Sequence, residues 1–162
     1  MTASAPTRTV ADLSLLLSQA SHVLTTQMAA AFAEIGITPR EYCVLFHAQE
    51  AERTQIQLAK ISDLDKTTMV VTVDELEKAG LAERRPSSTD RRARIIAVTE
   101  AGARAVAEGM RVADQVHREV LAALPEDQRE SFVGALSLLV GGHLSTPAES
   151  EHQVRRPRQR KL

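Results

Sequence analysis

One stretch of the chain, residues 54–99, constrains the fold more than any other. It holds two consecutive amphipathic helical patterns, which are joined by a short polar turn. Thr54 and Asp65 stand directly before these patterns, where a side-chain oxygen can accept hydrogen bonds from the unpaired N–H groups of a first helical turn. Gly80 suits the left-handed position that ends a helix. The apolar positions of the second pattern recur at helical spacing: Met69, Val73 and Leu76.

Two short β-type runs follow the second helical pattern, at 81–85 and 94–98. The loop between them is polar and rich in arginine. Two helices joined by a short turn and followed by a hairpin predict a helix-turn-helix with a two-stranded wing. The chain as a whole is therefore expected to be mainly α with one small β-hairpin.

The net charge of the 162-residue chain is −1, so total charge alone does not indicate a nucleic-acid partner. The distribution is more informative, because basic side chains cluster between Lys78 and Arg94. A single cysteine excludes a disulfide within the chain and fits the reducing cytoplasm. Aromatic residues make up 2% of the chain, which argues against a stacking platform for single-stranded nucleic acid. No apolar run approaches the length of a membrane span, so we expect no membrane partner.

The wing sequence Asp90-Arg-Arg-Ala-Arg94 is followed at short distance by Val98-Thr-Glu-Ala-Gly102. Together with Gly-Leu-x-Glu-Arg and the second helical pattern, these motifs resemble the winged helix-turn-helix of the MarR (multiple antibiotic resistance regulator) family. The resemblance covers roughly residues 13–139. It implies a DNA-binding transcriptional regulator, most often a ligand-responsive repressor that binds a palindromic duplex as a homodimer.

The resemblance also implies six helices, with the hairpin between the fourth and the fifth and a minimal strand after the second. We expect a dimerisation helix over 10–37, ending at Gly36, and a DNA-binding lobe over 38–99. Further dimerisation helices are expected over 100–143 and a disordered basic tail over 144–162. The first, fifth and sixth helices carry apolar stripes that two copies could bury together; burial within one chain is the alternative.

The recognition helix of such a fold enters the major groove with its first two turns. The residues at those positions are Lys66, Thr67, Thr68, Val70 and Val71. Lys66 can donate to guanine or phosphate, and the two threonines can bond to base or phosphate. Valine makes only apolar contacts, and the family commonly has Thr and Arg at the two valine positions. This departure predicts a preference for A·T-rich sequence and duplex shape.

The wing is expected to read the minor groove, where an inserted arginine gains from the focused negative potential. The resemblance assigns that role to Arg92, with Asp90 holding the wing arginine through a charge-assisted pair. Arg91 and Arg94 are further wing contacts. The candidates for phosphate contact elsewhere are Arg40, Thr54, Gln55 and Arg84. Alternatively, Arg84 and Arg94 face each other across the hairpin as solvated strand residues.

In this family a small-molecule effector often binds between the dimer region and the DNA-binding lobe. His22, Tyr42, Cys43 and Phe46 lie on helices that could line such a pocket. Two alternatives remain open. Cys43 could make the chain a redox-sensing regulator, or the fold could serve as a protein-interaction module without DNA binding. The sequence has no phosphate-binding glycine loop, no metal-spaced Cys/His cluster and no nucleophile–base pair, so no enzyme, catalytic residue, metal or cofactor is expected.

Overall fold

The computed structural model describes residues 11–88, 90 and 92–146. Six helices and one antiparallel hairpin account for most of this part of the chain, which confirms the expected winged helix-turn-helix architecture. The elements in order are α1 (Leu13–Ala33), α2 (Pro39–Glu50), α3 (Gln55–Ile61), α4 (Lys66–Lys78), β1 (Ala82–Pro86), β2 (Arg94–Val98), α5 (Glu100–Ala122) and α6 (Glu126–Gly141).

The two helix-turn-helix caps form as expected. Thr54 accepts a hydrogen bond from the backbone N–H of Gln57, whose side-chain oxygen in turn accepts one from the Thr54 N–H. This reciprocal pair satisfies two otherwise unpaired donors at the start of α3. Asp65 caps α4, and Gly80 follows that helix with a φ of 71°. Local chemistry thus sets where both helices begin and where the second one ends.

The apolar side of the helix-turn-helix packs into one core with the hairpin and α5. Because these side chains are removed from water, each large one contributes about 1.5–3 kcal/mol of hydrophobic stabilisation. The buried members of this core are Val44, Leu45, Ala48, Leu58, Met69, Val73, Leu76, Ala82, Ile96 and Val106. The stripe expected on α4 is therefore confirmed, and α4 has a fixed orientation because its apolar side is covered.

A second, smaller cluster joins the end of α1 to α2 and α5. It is built on Phe32, Ile37 and Ala113, and Phe32 is the one buried residue of α1. The Tyr42 ring packs against Phe32 at a centroid distance of 5.1 Å. The chain leaves α1 at Ala33, three residues before the expected end, because turn hydrogen bonds at residues 35 and 36 replace the helical pattern.

The hairpin pairs its two strands in antiparallel register. Its first strand begins and ends one residue later than expected. The register sets Arg84 opposite Ile96 and Arg94 opposite Pro86, so the two arginines do not face each other as the alternative reading required. The minimal strand after α2 is reduced to a single bridge between Thr54 and Ile95.

The chain divides into two compact units at Glu119/Val120. The first contains α1 to α4, the hairpin and most of α5. The second contains α6, none of whose residues is buried. No helix in the described residues is long and apolar enough to cross a membrane.

Candidate nucleic-acid interface

The exposed side of α4 carries most of the residues expected to read the duplex. Lys66 and Thr67 in the first turn and Val71 one turn later are exposed, while Val70 is half-buried. Thr68 has a different position, because its hydroxyl donates to Asp65 Oδ2 at 2.5 Å. The surface open to a duplex thus combines one cation, one hydroxyl and one apolar group in two helical turns.

Asp65 holds the start of this helix through two contacts with the same residue. Its Oδ1 accepts from the Thr68 N–H at 2.9 Å, beside the hydroxyl contact to Oδ2. These hydrogen bonds, first from the Thr68 hydroxyl and then from its N–H, lower the pKa of Asp65. The capping carboxylate is therefore ionised at neutral pH, where it also complements the positive end of the helix dipole.

The wing turn is built around Asp90. Its Oδ1 accepts from the backbone N–H of Arg92 at 2.9 Å, and its carbonyl accepts from the Ala93 N–H. This backbone contact is the one seen for the Asp90 carboxylate in the described residues, and the expected charge-assisted pair between Asp90 and a wing arginine stays a prediction. Arg92 is exposed next to this turn, and Arg94 is exposed at the start of β2. Arg91 lies outside the described residues.

Glu52 anchors the other end of the wing loop, a role that sequence reasoning missed. Its Oε2 accepts from the Ser87 hydroxyl at 2.9 Å and from the Ser88 N–H at 3.1 Å. Hydrogen bonds from Ser88 and then Ser87 lower the pKa of Glu52. The connector between α2 and α3 is therefore tied to the loop that carries Arg92. No local pattern signals this contact, since the partners are 35 and 36 residues apart.

Arg84, expected to contact phosphate, is instead surrounded by acceptors from the helix-turn-helix. Its guanidinium donates to Glu77 and to Asp74 Oδ1, the second at 2.7 Å, and reaches Gln55 Oε1 at 3.3 Å. Its backbone N–H donates to Glu77 Oε1 at 2.8 Å. These contacts join β1 to α4 and α3.

The other candidates for phosphate contact lie at helix starts. Arg40 is exposed in the first turn of α2, while Thr54 and Gln55 are half-buried at the start of α3. The Thr54 hydroxyl takes part in the cap of α3, and the Gln55 oxygen accepts from Arg84. Arg40 is therefore the most accessible of these three residues and the one that carries a positive charge.

The four residues expected to line a ligand pocket do not form one cluster. Tyr42 and Phe46 stack on successive turns of α2 at a centroid distance of 5.9 Å. Phe46 also lines a cavity of about 180 Å³ together with Val106 and Met110 of α5. Cys43 is half-buried with its Sγ 3.7 Å from the Ser62 hydroxyl, and His22 is exposed on α1. Burial raises the pKa of the Tyr42 hydroxyl, with a smaller contribution from the Asp114 charge.

Within residues 11–146, leaving out 89 and 91, no group of three or more His, Cys, Asp or Glu side chains is arranged to hold a metal ion.

Comparison with known proteins shows what this geometry is similar to. The sequence profile described as MarR family matches residues 35–93, which include α2, α3, α4 and the start of the wing. A structure of CouR from Rhodococcus jostii RHA1 bound to p-coumaroyl-CoA is 28% identical, with a TM-score of 0.71 over 85% of this chain and 96% of that one.

Two further solved structures agree. A MarR-family transcriptional regulator from Rhodococcus sp. RHA1 is 27% identical, with a TM-score of 0.70 over 81% of this chain and 95% of that one. The transcriptional repressor CouR bound to a 23-mer DNA duplex is 25% identical, with a TM-score of 0.70 over 79% of this chain and 92% of that one. With its helix-turn-helix and arginine-bearing wing, this chain is similar to the MarR family over residues 35–93 and to MarR-family transcriptional regulators in its fold.

Proposed function

We propose that the chain is a homodimeric repressor that binds a palindromic DNA duplex, with α4 in the major groove and the wing in the minor groove. The observation that carries this proposal is that an exposed α4 surface and an exposed Arg92 belong to elements that pack into one hydrophobic core. CouR, a transcriptional repressor solved bound to a 23-mer DNA duplex, supports duplex DNA as the partner. A regulator of this kind would act in the cytoplasm, where its DNA lies.

Within this proposal, base edges are met by Lys66, Thr67 and Val71, and Thr68 acts chiefly by fixing the helix start. Arg92 enters the narrow minor groove, and Arg40 and Arg94 attract phosphates. Electrostatic attraction of this kind is independent of sequence and weakens steeply with salt. Specificity would therefore come from the short α4 surface and from duplex shape.

The test is fluorescence anisotropy with the tightest duplex recovered from a random pool, measured over a series of salt concentrations. We expect Arg92→Ala to lower the affinity roughly ten- to hundredfold. Each phosphate contact that is lost should reduce the salt slope by about 0.9. Arg104→Ala is the matched control, because Arg104 is an exposed arginine of α5 paired with Glu100. A wild-type chain that binds no duplex at low salt would favour the protein-interaction alternative.

The homodimer is proposed from uncovered apolar surface on α1, α5 and α6, the helices expected to form the dimer region. A helix with several large apolar side chains and no buried residue, such as α6, lacks the packing that stabilises a helix in water. The exposed apolar residues of the three helices are Leu13, Leu15, Leu16, Val23, Met110, Val120, Phe132, Val133, Leu138, Leu139 and Val140. A two-fold dimer would also set two copies of α4 about 34–36 Å apart, one turn of duplex.

We further propose that a small molecule with an apolar moiety controls DNA binding through the cavity beside Phe46. That cavity lies between α2 and α5, so an occupant would act on the junction of the DNA-binding lobe and the proposed dimer region. The relative CouR was solved with p-coumaroyl-CoA, which makes an aromatic acyl thioester the first probe. Adding p-coumaroyl-CoA to the protein–DNA complex should lower its anisotropy; an unchanged signal would exclude this ligand class.

The basic tail, 144–162, lies outside the described residues beyond Thr146. We propose that its arginines add phosphate attraction that is independent of DNA sequence.

A further inference from the structure

Arg84 is held more extensively than any neighbouring wing arginine in the described residues. Its guanidinium is 31% exposed and meets two carboxylates of α4, Asp74 and Glu77, while also reaching Gln55 of α3. Its backbone N–H donates to the same Glu77 side chain at 2.8 Å. Main chain and side chain of one strand residue are therefore bound to one residue of α4.

These contacts compete with a phosphate role. A guanidinium has five donors in a rigid planar fork, and here the fork is directed at three side-chain acceptors. Arg85, the next residue, differs: its side chain is 61% exposed and pairs with Glu83 of its own strand, whose side chain is 44% exposed. Arg85 can therefore turn to a phosphate at little cost, whereas Arg84 would first leave two carboxylates.

The two carboxylates need this cation if α4 is to approach a polyanion. Asp74 and Glu77 lie on the recognition helix, where an uncompensated negative charge would repel phosphates. Arg84 offsets that charge. It also connects three elements, and networks of this kind contribute more than an isolated surface pair does. The contact spans the boundary between the helix that would enter the major groove and the hairpin that would enter the minor groove.

We propose that Arg84 is a positioning residue that fixes the wing to the recognition helix through Glu77, Asp74 and Gln55, so that α4 and Arg92 reach the duplex in one relative placement. The inference rests on the proposed DNA-binding function and replaces the phosphate contact that the sequence suggested for this residue. Lysine should substitute poorly, because a single ammonium cannot reproduce the planar fork that serves several acceptors.

The first test measures DNA affinity and its salt dependence for Arg84→Gln, Arg92→Ala and the double variant, on the selected duplex. Arg84→Gln should weaken binding about tenfold, and in the Arg92→Ala background it should leave the salt slope unchanged. The loss caused by Arg92→Ala should become smaller in the Arg84→Gln background, because a displaced wing no longer delivers Arg92. A role in overall stability alone would leave the Arg92→Ala loss unchanged in both backgrounds.

Arg85→Gln is the matched control, since it removes the same charge from the adjacent position and is expected to change the slope instead. A slope that falls by about 0.9 more in the double variant than in Arg92→Ala alone would identify a phosphate contact of Arg84 and overturn the proposal. Unchanged affinity, or an Arg92→Ala loss equal in both backgrounds, would overturn it too.

Glu77→Gln tests the same contact from the helix side. Removing a negative charge from a DNA-facing helix should tighten binding if the charge only repels phosphates. We expect weaker binding of the selected duplex instead, because Arg84 loses one of its two carboxylate partners. Tighter binding by this variant would overturn the proposal, even if Arg84→Gln failed to fold.

The second test needs no DNA. It compares amide hydrogen exchange in the full chain between the wild type, Arg84→Gln and Glu77→Gln. Exchange should become faster in β1 and β2 and stay the same in α5. Arg104→Gln serves as control, since it breaks an exposed pair on α5. Unaltered exchange in the hairpin would overturn the positioning role. If the wild type failed to bind DNA, the proposed function would be wrong, but the hydrogen-exchange result would still test whether Arg84 fixes the hairpin to α4.

Discussion

Two glycines of α5 show how single residues allow close packing in this fold. A Cβ at Gly102 would meet the Leu81 carbonyl oxygen and lie 2.7 Å from Val98 Cγ1. A Cβ at Gly109 would press into the Tyr42 ring, 2.9 Å from Cε2 and 3.2 Å from Phe32 Cε1. Both positions therefore require glycine for reasons of space, since neither has a left-handed φ.

We expect Gly109→Ala to lower the free energy of unfolding by about 1–3 kcal/mol, because the ring stack has to shift. Gly102→Ala should lower the free energy of unfolding by more than Gly109→Ala does, because the backbone carbonyl of Leu81 cannot move aside as a side-chain ring can. Chemical denaturation at one pH measures both. Gly134→Ala is the control, because a Cβ there meets nothing within 4 Å among the described residues. Equal stability of the two α5 variants and the wild type would contradict the packing.

A second prediction at the residue scale concerns Glu52 and the wing. Glu52→Gln weakens the hydrogen bonds that this side chain accepts from Ser87 and Ser88. The backbone amides of the wing should therefore exchange faster, and the affinity for the duplex should fall roughly three- to tenfold. Since the folded pKa of Glu52 is lowered, its stabilising contribution is present above the ordinary value of 4.5 and is lost as pH falls through the lowered pKa. Hydrogen exchange in the wild type and variant near neutral pH measures the effect, and identical wing rates would contradict it.

At the scale of elements, the cap of the recognition helix has its own pH dependence. Asp65 has a folded pKa below its ordinary value of 3.8, so its contribution is complete above that pH and disappears as the pH falls through the folded pKa. Asp65→Ala should lower Tm by a few degrees at pH 7, because the α4 cap is lost. Asp65→Asn keeps an acceptor and should lower Tm less.

The measurement is Tm from pH 7 down to pH 3 for the wild type and the two Asp65 variants. The difference between the wild type and Asp65→Asn should shrink as the pH falls below 3.8, because the unfolded carboxylate then takes up a proton that the folded one resists. A difference that stays constant with pH would show that the charge of Asp65 has no role in the cap.

At the scale of the whole molecule, the apolar side chains of α6 predict self-association. Leu138 and Ile56 are both 79% exposed, but Leu138 lies on α6 and Ile56 on α3. Leu138→Glu should raise the dimer dissociation constant at least about tenfold, because a charge would be buried without a partner. Ile56→Glu should leave it unchanged. Analytical ultracentrifugation distinguishes them, and a monomeric wild type at micromolar concentration would remove the dimer proposal.

Local signals in the sequence accounted for the helix order, the caps at Thr54 and Asp65, and the helix end at Gly80. Each of these rests on contacts between residues at most four positions apart, which a sequence displays directly. The buried stripe of α4 was equally readable, since helical periodicity sets which side chains share one face.

Tertiary packing decided what the charged residues of the wing do. Arg84 carries the same charge as Arg92, and only the approach of β1 to α4 and α3 gives it carboxylate and amide partners as far as 29 residues away in sequence. Glu52 and the wing serines are separated still further, and Asp90 turns its carboxylate to a backbone N–H. A charge pattern tells which side chains can pair, but the pairs that form depend on how distant elements pack, because a hydrogen bond requires its two atoms within about 3 Å.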